Sequence, residues 1–230
     1  FAYQSSPTIE SCVFEDNASV FGGAIYCYQG APTIRDCTFA HNHAASDGGA
    51  VQLSRSDGGL VEGCYVFENS AVGRGGGMHL FGGTPTVRTS EILDNTSGSN
   101  GGGVSWYSTG DFALIDDCVI MGNTAKESGG GIKTRDSLED LTLQGTTVCD
   151  NEPDEIDGPF IDGGGNTLCI CPADFNGDGV VNGGDLGLLL GVMGACPPGT
   201  ACAANTSAVT ARPRATQHQV LHRSIRPNHQ

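Results

Sequence analysis

Several features that define other classes of protein are scarce in this 230-residue sequence. No apolar run approaches the roughly 18 residues of a transmembrane helix, so the sequence predicts no membrane span. Ten cysteines are too few for a body held together mainly by disulfide bonds. Aromatic residues make up only 7% of the chain, but a hydrophobic fraction of 38% argues against general disorder. We therefore expect a soluble chain with an apolar core of its own.

Positive charge is also scarce, because 11 Lys and Arg against 26 Asp and Glu give a formal net charge of -15. This balance disfavours nucleic acid as a partner, since phosphates attract clustered basic side chains, and it favours cations such as calcium. The acidic residues all lie at or before Asp185, whereas the last 28 residues carry four arginines. We predict that residues 197–230 form a disordered basic tail.

The rest of the chain repeats itself about every 26 residues. An asparagine recurs at spacings of 25, 27, 26, 28 and 28, at Asn17, Asn42, Asn69, Asn95, Asn123 and Asn151. An apolar residue stands eight positions before each asparagine, at Ile9, Ile34, Val61, Val87, Ile115 and Leu143. Another stands three positions before it, at Phe14, Phe39, Val66, Ile92, Ile120 and Val148. A fixed period of this length indicates stacked structural repeats.

Glycine clusters and alternating apolar residues follow each of the first five asparagines. Alternation of period two indicates strands, and glycine permits the tight turns between them. Each repeat therefore predicts one coil of about three short strands, and coils stacked roughly 4.8 Å apart bury a continuous core. We predict an all-β, right-handed parallel β-helix of about six coils over residues 1–168. Phe1 enters in the middle of a repeat, so we expect further coils to precede it in the parent protein.

Two inward columns have mainly structural interpretations. The asparagine amides should bond to turn backbone and to their stacked neighbours. A small residue, most often cysteine, stands five positions before each asparagine, and these residues should form a buried column. We expect the cysteines to be free thiols, because the Cβ atoms of in-register neighbours are about as far apart as a disulfide bond allows. Its members are Cys12, Cys37, Cys64, Ser90, Cys118 and Thr146.

Two outward columns are also predicted. The first alternates in charge and should help to set the register between coils, with members Glu10, Arg35, Glu62, Arg88, Asp116 and Gln144. The second is interpreted as a row of ordinary exposed positions, Tyr26, Gln52, His79, Ser105 and Lys133.

The first coils resemble a known family. The segments Phe14-Glu-Asp-Asn17 and Gly22-Gly-Ala-Ile25, and their counterparts one coil later, resemble the FxxN and GGAI signatures of polymorphic outer-membrane-protein repeats. The resemblance covers residues 1 to about 168 and implies a surface-exposed β-helix passenger, often adhesive.

The predicted architecture also resembles that of some polysaccharide lyases and hydrolases, which use acidic and basic residues on an outer face. The candidates here are Arg88, Asp116, Asp117, His79 and Lys133. Hydrolysis requires two carboxyl groups across a bond, and lyase chemistry requires a base beside a charge-neutralising cation. These side chains are expected on different strands without long loops around them, so an enzyme is the alternative hypothesis.

A second informative segment runs from Asp174 to Asp185. Its spacing places six ligands at loop positions 1, 3, 5, 7, 9 and 12, namely Asp174, Asn176, Asp178, the backbone carbonyl of Val180, Asn182 and Asp185. Gly179 occupies position 6, where the loop turns sharply. This donor set predicts Ca²⁺ binding.

The DxNxDGxxNxxD pattern of this segment resembles the dockerin family, which implies a cohesin partner, although dockerins use two loops and only one is present. We therefore expect residues 169–196 to be a small helical, EF-hand-like calcium-binding module for attachment or capping. Cys171 and Cys196 flank its loop and helix and suggest a disulfide, which would imply an oxidising compartment.

The sequence as a whole predicts a secreted or cell-surface structural or adhesive protein, without catalytic residues, whose partner is cohesin-like, a cell surface or a polysaccharide. The alternative is a polysaccharide lyase or glycoside hydrolase that acts on an outer face of the β-helix.

Overall fold

The computed structural model describes residues 1–108, 110–135 and 140–169, and its regular elements there are β-strands. In chain order the strands are β1 (Ala2–Tyr3), β2 (Thr8–Glu10), β3 (Val13–Glu15), β4 (Ala18–Ser19), β5 (Ile25–Tyr28), β6 (Thr33–Arg35), β7 (Thr38–Ala40), β8 (His43–Ala44), β9 (Val51–Glu62), β10 (Tyr65–Phe67), β11 (Ser70–Ala71), β12 (Met78–Arg88), β13 (Glu91–Leu93), β14 (Thr96–Ser97), β15 (Val104–Tyr107), β16 (Ala113–Asp116), β17 (Val119–Met121), β18 (Thr124–Ala125), β19 (Ile132–Lys133), β20 (Leu141–Gln144), β21 (Thr147–Cys149), β22 (Ile156–Asp157), β23 (Ile161–Asp162) and β24 (Thr167–Leu168).

The strands form three parallel sheets that run along the stack of coils. The first sheet has 12 strands, with β1-β5-β9-β12-β15-β19-β22 as its main path and β2, β6, β16, β20 and β23 beside it. The second has seven strands, ordered β24-β21-β17-β13-β10-β7-β3, and the third has five, ordered β18-β14-β11-β8-β4. Each strand pairs with strands one coil away, so the chain winds as a parallel β-solenoid of about six turns, as the repeat predicted.

The apolar columns predicted from the repeat form the core. Strand pairing aligns Ile9 with Ile34, and the same register continues to Leu143. The second column runs in register from Phe14 to Val148. Beyond the first coil the members of both columns are fully buried. Identical or similar side chains therefore stack on one another through the length of the described solenoid.

Two coils differ from the predicted pattern of short strands. Strands β9 and β12 are 12 and 11 residues long, because pairing continues through segments that the sequence indicated as turns. Gly82 and Gly83 of β12 adopt positive φ angles of 65° and 80°, which lets the strand bend without ending. A Cβ atom at Gly83 would lie 2.6 Å from the Ser56 backbone nitrogen in the next strand.

The asparagine ladder is confirmed. Each Asn Nδ2 from Asn17 to Asn123 donates to the Oδ1 of the next asparagine, at 2.9–3.0 Å. From Asn42 to Asn151, Nδ2 also donates to a backbone carbonyl of the preceding coil. At the last coil Asn151 Nδ2 instead donates to Glu155 Oε2 at 2.6 Å. Glu155, which the sequence analysis did not single out, therefore ends the ladder.

The cysteines behave in two ways. The predicted free thiols are confirmed at Cys12, Cys37, Cys64 and Cys118, and all but Cys12, which is exposed in the first coil, are buried as expected. The structure also contains a disulfide between Cys149 and Cys169, whose Cα atoms are 4.7 Å apart in neighbouring coils. In-register positions can thus be bridged, contrary to the geometric argument made from the sequence. Cys171 and Cys196 lie outside the described residues.

Candidate ligand-binding face

The side chains proposed for an enzymatic site do not come together. Arg88, at the end of β12, pairs in register with Asp116 of β16. His79 lies at the other end of β12, and Lys133 lies on β19, where its Nζ contacts Asp157 Oδ2 at 2.6 Å. Asp117 follows β16 in a turn with φ of 50°. The expected separation of His79 and Lys133 from Asp116 is therefore confirmed, whereas Arg88 and Asp116 are in-register neighbours and His79 shares a long strand with Arg88.

The first outward column is a ladder of ion pairs, as predicted. Glu62 binds two arginines, with Oε2 2.8 Å from Arg35 Nε and Oε1 2.7 Å from Arg88 Nη2. Arg35 also lies 3.7 Å from Glu10. Because these side chains are partly exposed, each pair contributes roughly 0–1 kcal/mol, and the column mainly favours the observed register.

The second outward column is aligned as predicted, but the expected exposure is wrong for three members. Gln52, His79 and Ser105 are only 6%, 3% and 0% exposed. Burial lowers the pKa of His79 from 6.5 to about 4, so the imidazole is neutral at pH 7. Charges from the preceding turns have smaller effects, because Asp47 raises the pKa of His79 and Arg74 lowers it.

Each of these three buried residues has a polar atom without a hydrogen-bond partner. The atoms are Gln52 Oε1, His79 Nδ1 and Ser105 Oγ. They lie on three consecutive coils in strict register, and we call Gln52, His79 and Ser105 the buried polar row. An unsatisfied buried polar atom costs roughly 1–3 kcal/mol, so a row of three is an unusual feature.

A column of rings lies beside the buried polar row. Strand residues two apart share a face, so Tyr28, Ser54, Phe81 and Tyr107 form the next outward column, and their pairing is in register. The rings of Phe81 and Tyr107 stack at a centroid distance of 6.4 Å, and Phe81 also stacks on His79 at 6.2 Å. The face therefore presents flat apolar surfaces on successive coils.

Three arginines cover these rings. The Arg55 guanidinium lies 5.8 Å from the Tyr28 centroid, and its Nη1 donates to Tyr28 Oη at 3.1 Å. The ring of Tyr107 has two cations within cation–π distance, Arg74 at 5.1 Å and Arg135 at 5.6 Å. We define the aromatic–arginine face by its rings and cations, Tyr28, Arg55, Arg74, Phe81, Tyr107 and Arg135.

The carboxylates that border this face are bound by the protein itself. Asp47 Oδ1 accepts from the Arg74 backbone nitrogen at 2.8 Å, and Asp111 Oδ2 accepts from the Gly83 nitrogen at 3.0 Å. Asp140 Oδ1 accepts from Trp106 Nε1 at 2.7 Å, and burial raises the Asp140 pKa. Open space of about 550 Å³ adjoins the face at Arg55 and is lined by Gln4, Gln29, Gly30, Ala31, Arg55 and Asp57.

Sequence reasoning missed the rings and arginines of this face. The available signal was positional, because Tyr28, Phe81 and Tyr107 each lie two residues after a member of the second outward column. The arginines carried no such signal, since Arg74 belongs to a turn and Arg135 follows the end of β19.

The predicted calcium ligands Asp174, Asn176, Asp178, Val180, Asn182 and Asp185 lie outside the described residues. In residues 1–108, 110–135 and 140–169, no three His, Cys, Asp or Glu side chains are grouped so that they could hold a metal ion. The same part of the chain contains no helix with the length and hydropathy needed to cross a bilayer.

Comparison with known proteins agrees with the geometry of the coils. Neither a search of curated proteins nor a search of solved structures found a match. The family model described as the right-handed β-helix region matches residues 1–148, which is more than half of the 230-residue chain. Together with the observed parallel solenoid, this match shows that the chain belongs to the right-handed β-helix family.

Proposed function

We propose that this β-helix is a secreted or cell-surface structural or adhesive protein that binds a polysaccharide or another surface partner through its aromatic–arginine face. The observation that carries the proposal is the in-register stack of Phe81 and Tyr107 on successive coils, with Tyr28 two coils earlier in the same column and guanidinium groups over Tyr28 and Tyr107. Aromatic faces pack against the apolar faces of sugar rings, while guanidinium groups supply fixed hydrogen-bond donors. Such a surface is suited to holding an extended partner along the stack.

Two observations support a location outside the cell. The Cys149–Cys169 disulfide is of a kind that persists in oxidising compartments. The FxxN and GGAI segments resemble repeats of surface-exposed proteins. Neither observation depends on the aromatic–arginine face, so the location and the binding mode can be tested separately.

The second part of the proposal concerns residues 169–196, as a calcium-binding attachment or capping module. Its support is the spacing of Asp174, Asn176, Asp178, Asn182 and Asp185, which supplies side-chain oxygens as Ca²⁺ requires, with Val180 adding a backbone carbonyl. The dockerin-like pattern makes a cohesin-like protein one candidate partner of this module.

Binding of the full chain to immobilised acidic and neutral polysaccharides tests the role of the face. We expect Tyr107→Ala to weaken binding at least roughly tenfold, as removal of a central aromatic contact does. Tyr65→Ala is the matched control, because Tyr65 is an exposed ring on β10, in the second sheet. Equal binding by both variants would contradict the proposal, and release of reducing ends or unsaturated uronates would favour the enzymatic alternative.

Calorimetric titration of the full chain with Ca²⁺ tests the module. We expect one site, lost in Asp178→Ala, with the β signal in circular dichroism unchanged. A chain that binds no Ca²⁺ would remove this part of the proposal and leave the binding face unaffected.

A further inference from the structure

The column of small residues five positions before the asparagines carries thiols on three consecutive coils. These are Cys12, Cys37 and Cys64, and each is free. The backbone nitrogen of Thr38, the residue after Cys37, donates to the Cys12 carbonyl at 2.9 Å. The nitrogen of Tyr65, the residue after Cys64, donates to the Cys37 carbonyl at 2.9 Å in the same way. The three cysteines are therefore in-register neighbours, roughly 4.8 Å apart from coil to coil.

A second set of cysteines shows that this arrangement accepts a disulfide. Cys149 and Cys169 also occupy equivalent positions on adjacent coils, because Val148 pairs with Leu168. They are bonded to each other, with their Cα atoms 4.7 Å apart. In-register strand neighbours lie at nearly this distance, which is within the range of Cα separations that disulfides span. The backbone of the solenoid therefore permits a bond between neighbouring members of the thiol column.

Exposure decides which of the three thiols reacts first. Cys12 is exposed, whereas Cys37 and Cys64 are only 1% and 2% exposed. An oxidant in solution therefore reaches Cys12 before the other two. The Cys37 thiol leans toward the first coil, because its Sγ donates to the Ile9 carbonyl at 3.7 Å as well as to the Arg35 carbonyl at 3.0 Å. The exposed thiol thus has a buried thiol behind it, on the next coil and turned toward it.

The third thiol competes poorly for the same partner. Burial raises the pKa of Cys64 to about 11, so its thiol is almost entirely protonated at neutral pH. Only the thiolate attacks a disulfide. Cys64 therefore does not readily displace Cys12 from Cys37.

We propose that Cys12 and Cys37 form a disulfide when the chain meets a small-molecule disulfide such as oxidised glutathione, and that this bond fastens the first coil to the second. The site lies on the cysteine column and involves neither the aromatic–arginine face nor the calcium module. Its test is therefore independent of both parts of the proposed function.

The bond forms by two successive exchanges. The Cys12 thiolate attacks one sulfur of the oxidant R–S–S–R, so a Cys12–S–S–R bond forms, the bond between the two R–S groups breaks, and R–S⁻ leaves and takes up the proton that Cys12 lost. The Cys37 thiolate then attacks the Cys12 sulfur and releases the second R–SH in the same way. The two protein thiols lose two electrons and two protons, and the oxidant gains both as two R–SH molecules. Because burial raises the pKa of Cys37, the second exchange should become faster as the pH rises.

Peptide mapping of the full chain after incubation with oxidised glutathione tests the pairing. The remaining thiols are alkylated in denaturant, and the unreduced chain is digested into peptides with one cysteine each. We expect the peptides of Cys12 and Cys37 to be joined and Cys64 to be alkylated. Cys118 is the internal control, because its neighbours in the column are not cysteines and it should also be alkylated. An unmodified Cys12, a glutathione adduct that persists on it, or a bond from it to any other cysteine would each overturn the inference.

Two variants separate the steps of the reaction. In Cys37→Ser the second exchange cannot occur, so the glutathione adduct should accumulate on Cys12. Cys64→Ser is the matched control and should form the Cys12–Cys37 bond as the wild type does. Serine already stands in this column at Ser90, so the substitution suits the position. Failure of Cys64→Ser to form the bond would show that Cys64 takes part and would overturn the proposed pairing.

Hydrogen exchange tests whether the bond fastens the first coil. The backbone nitrogens of Ser11 and Asp16 donate to carbonyls of the second coil, at 3.0 and 3.2 Å. Oxidation should slow the exchange of these two amides at least roughly tenfold, because the disulfide limits opening of the first coil. The amide of Asp94, in a central coil, should exchange as before. Unchanged exchange at Ser11 and Asp16 in the bonded chain would overturn this role of the disulfide.

Discussion

At the scale of single residues, the asparagine ladder depends on a side chain that can donate and accept at once. In a central coil, Asn95 Nδ2 donates to Asn123 Oδ1 and to the Val66 carbonyl, each at 3.0 Å. Its Oδ1 accepts from both the backbone nitrogen and Nδ2 of Asn69. An aspartate could not donate, and a longer glutamine would not keep the spacing. Each ladder position therefore holds four buried hydrogen bonds on one short amide.

Substitution of a central ladder residue should be severe. Asn95→Ala removes the acceptor of the Asn69 backbone nitrogen and one of the acceptors of Asn69 Nδ2. It also removes the donor to Asn123 Oδ1 and to the Val66 carbonyl, so we expect the free energy of unfolding to fall by roughly 3 kcal/mol or more. Urea denaturation followed by circular dichroism measures the change. Asn17→Ala is the control, because Asn17 is exposed in the first coil and should cost only about 1 kcal/mol. Similar losses for both would contradict this account.

The buried imidazole of His79 should make stability depend on pH. Its folded pKa of about 4 lies below the 6.5 of the unfolded chain, so the unfolded state binds more protons between these values. The stability that the neutral His79 side chain gives the fold is therefore fully present above pH 6.5, and it is lost as the pH falls toward 4. We expect His79→Gln to show a smaller drop in the urea midpoint over this window than the wild type. His43→Gln, with an exposed ring, should follow the wild type.

At the scale of the turns and strands, the glycine clusters let neighbouring coils approach closely. Gly76 and Gly102 occupy equivalent places, and a Cβ atom on either would lie 2.4 Å from a backbone oxygen of the next coil. The neighbouring atoms belong to paired backbone, so they cannot move without loss of hydrogen bonds. Glycine is therefore required here by contact between coils and not only by turn conformation.

An alanine in such a cluster should disrupt the local stack. For Gly102→Ala, whose Cβ would meet the Gly130 and Thr124 backbones, we expect a loss of roughly 3 kcal/mol, at the upper end for overpacking. Gly59→Ala is the control, because its closest contact is Ser56 Cβ at 3.2 Å, which needs a shift of only a few tenths of an ångström, and no backbone atom lies as close. Thermal unfolding compares the two. A Gly102→Ala protein as stable as the control would show that the coils separate without penalty.

The fold was predictable because its determinants recur, whereas the candidate site was not. Asn95, Ile92 and Val87 each have counterparts one coil away, so a single spacing located the strands and the core. The charges that act on His79 come from Asp47 and Arg74, which belong to turns without a repeated pattern. The contacts of the last coil also escaped prediction, since Glu155 and Cys169 follow the last regular asparagine.

At the scale of the whole molecule, a solenoid is stabilised by contacts between nearest neighbours only. A coil at the end of such a stack has a neighbour on one side only and is expected to open first. The Cys149–Cys169 disulfide joins β21 to the last coil that the structure describes, which contains β24. The bond closes a loop with a sequence separation of 20 residues.

Removal of that disulfide should therefore have a local effect. In Cys149→Ser we expect amides of residues 161–169 to lose hydrogen-exchange protection, by an amount within the roughly 2–4 kcal/mol typical of a disulfide. Protection in β10 and β13 should be unchanged. Cys12→Ser, which removes an exposed free thiol, is the control. Equal loss of protection in all coils would indicate that the solenoid unfolds as one unit.

The asparagine ladder also gives the stack an electrical direction. Each ladder amide donates one side-chain hydrogen bond to the asparagine of the later coil, and its C=O accepts from the asparagine of the earlier coil, so the amide dipoles add head to tail. A row of aligned dipoles has a positive end where its donors point, as an α-helix does at its N-terminus. Glu155 lies at that end and accepts from both nitrogens of Asn151. Burial raises the Glu155 pKa, while these two hydrogen bonds lower it and favour the carboxylate. The asparagine ladder therefore has a positive end, and the carboxyl group of Glu155, which ends the ladder, lies there.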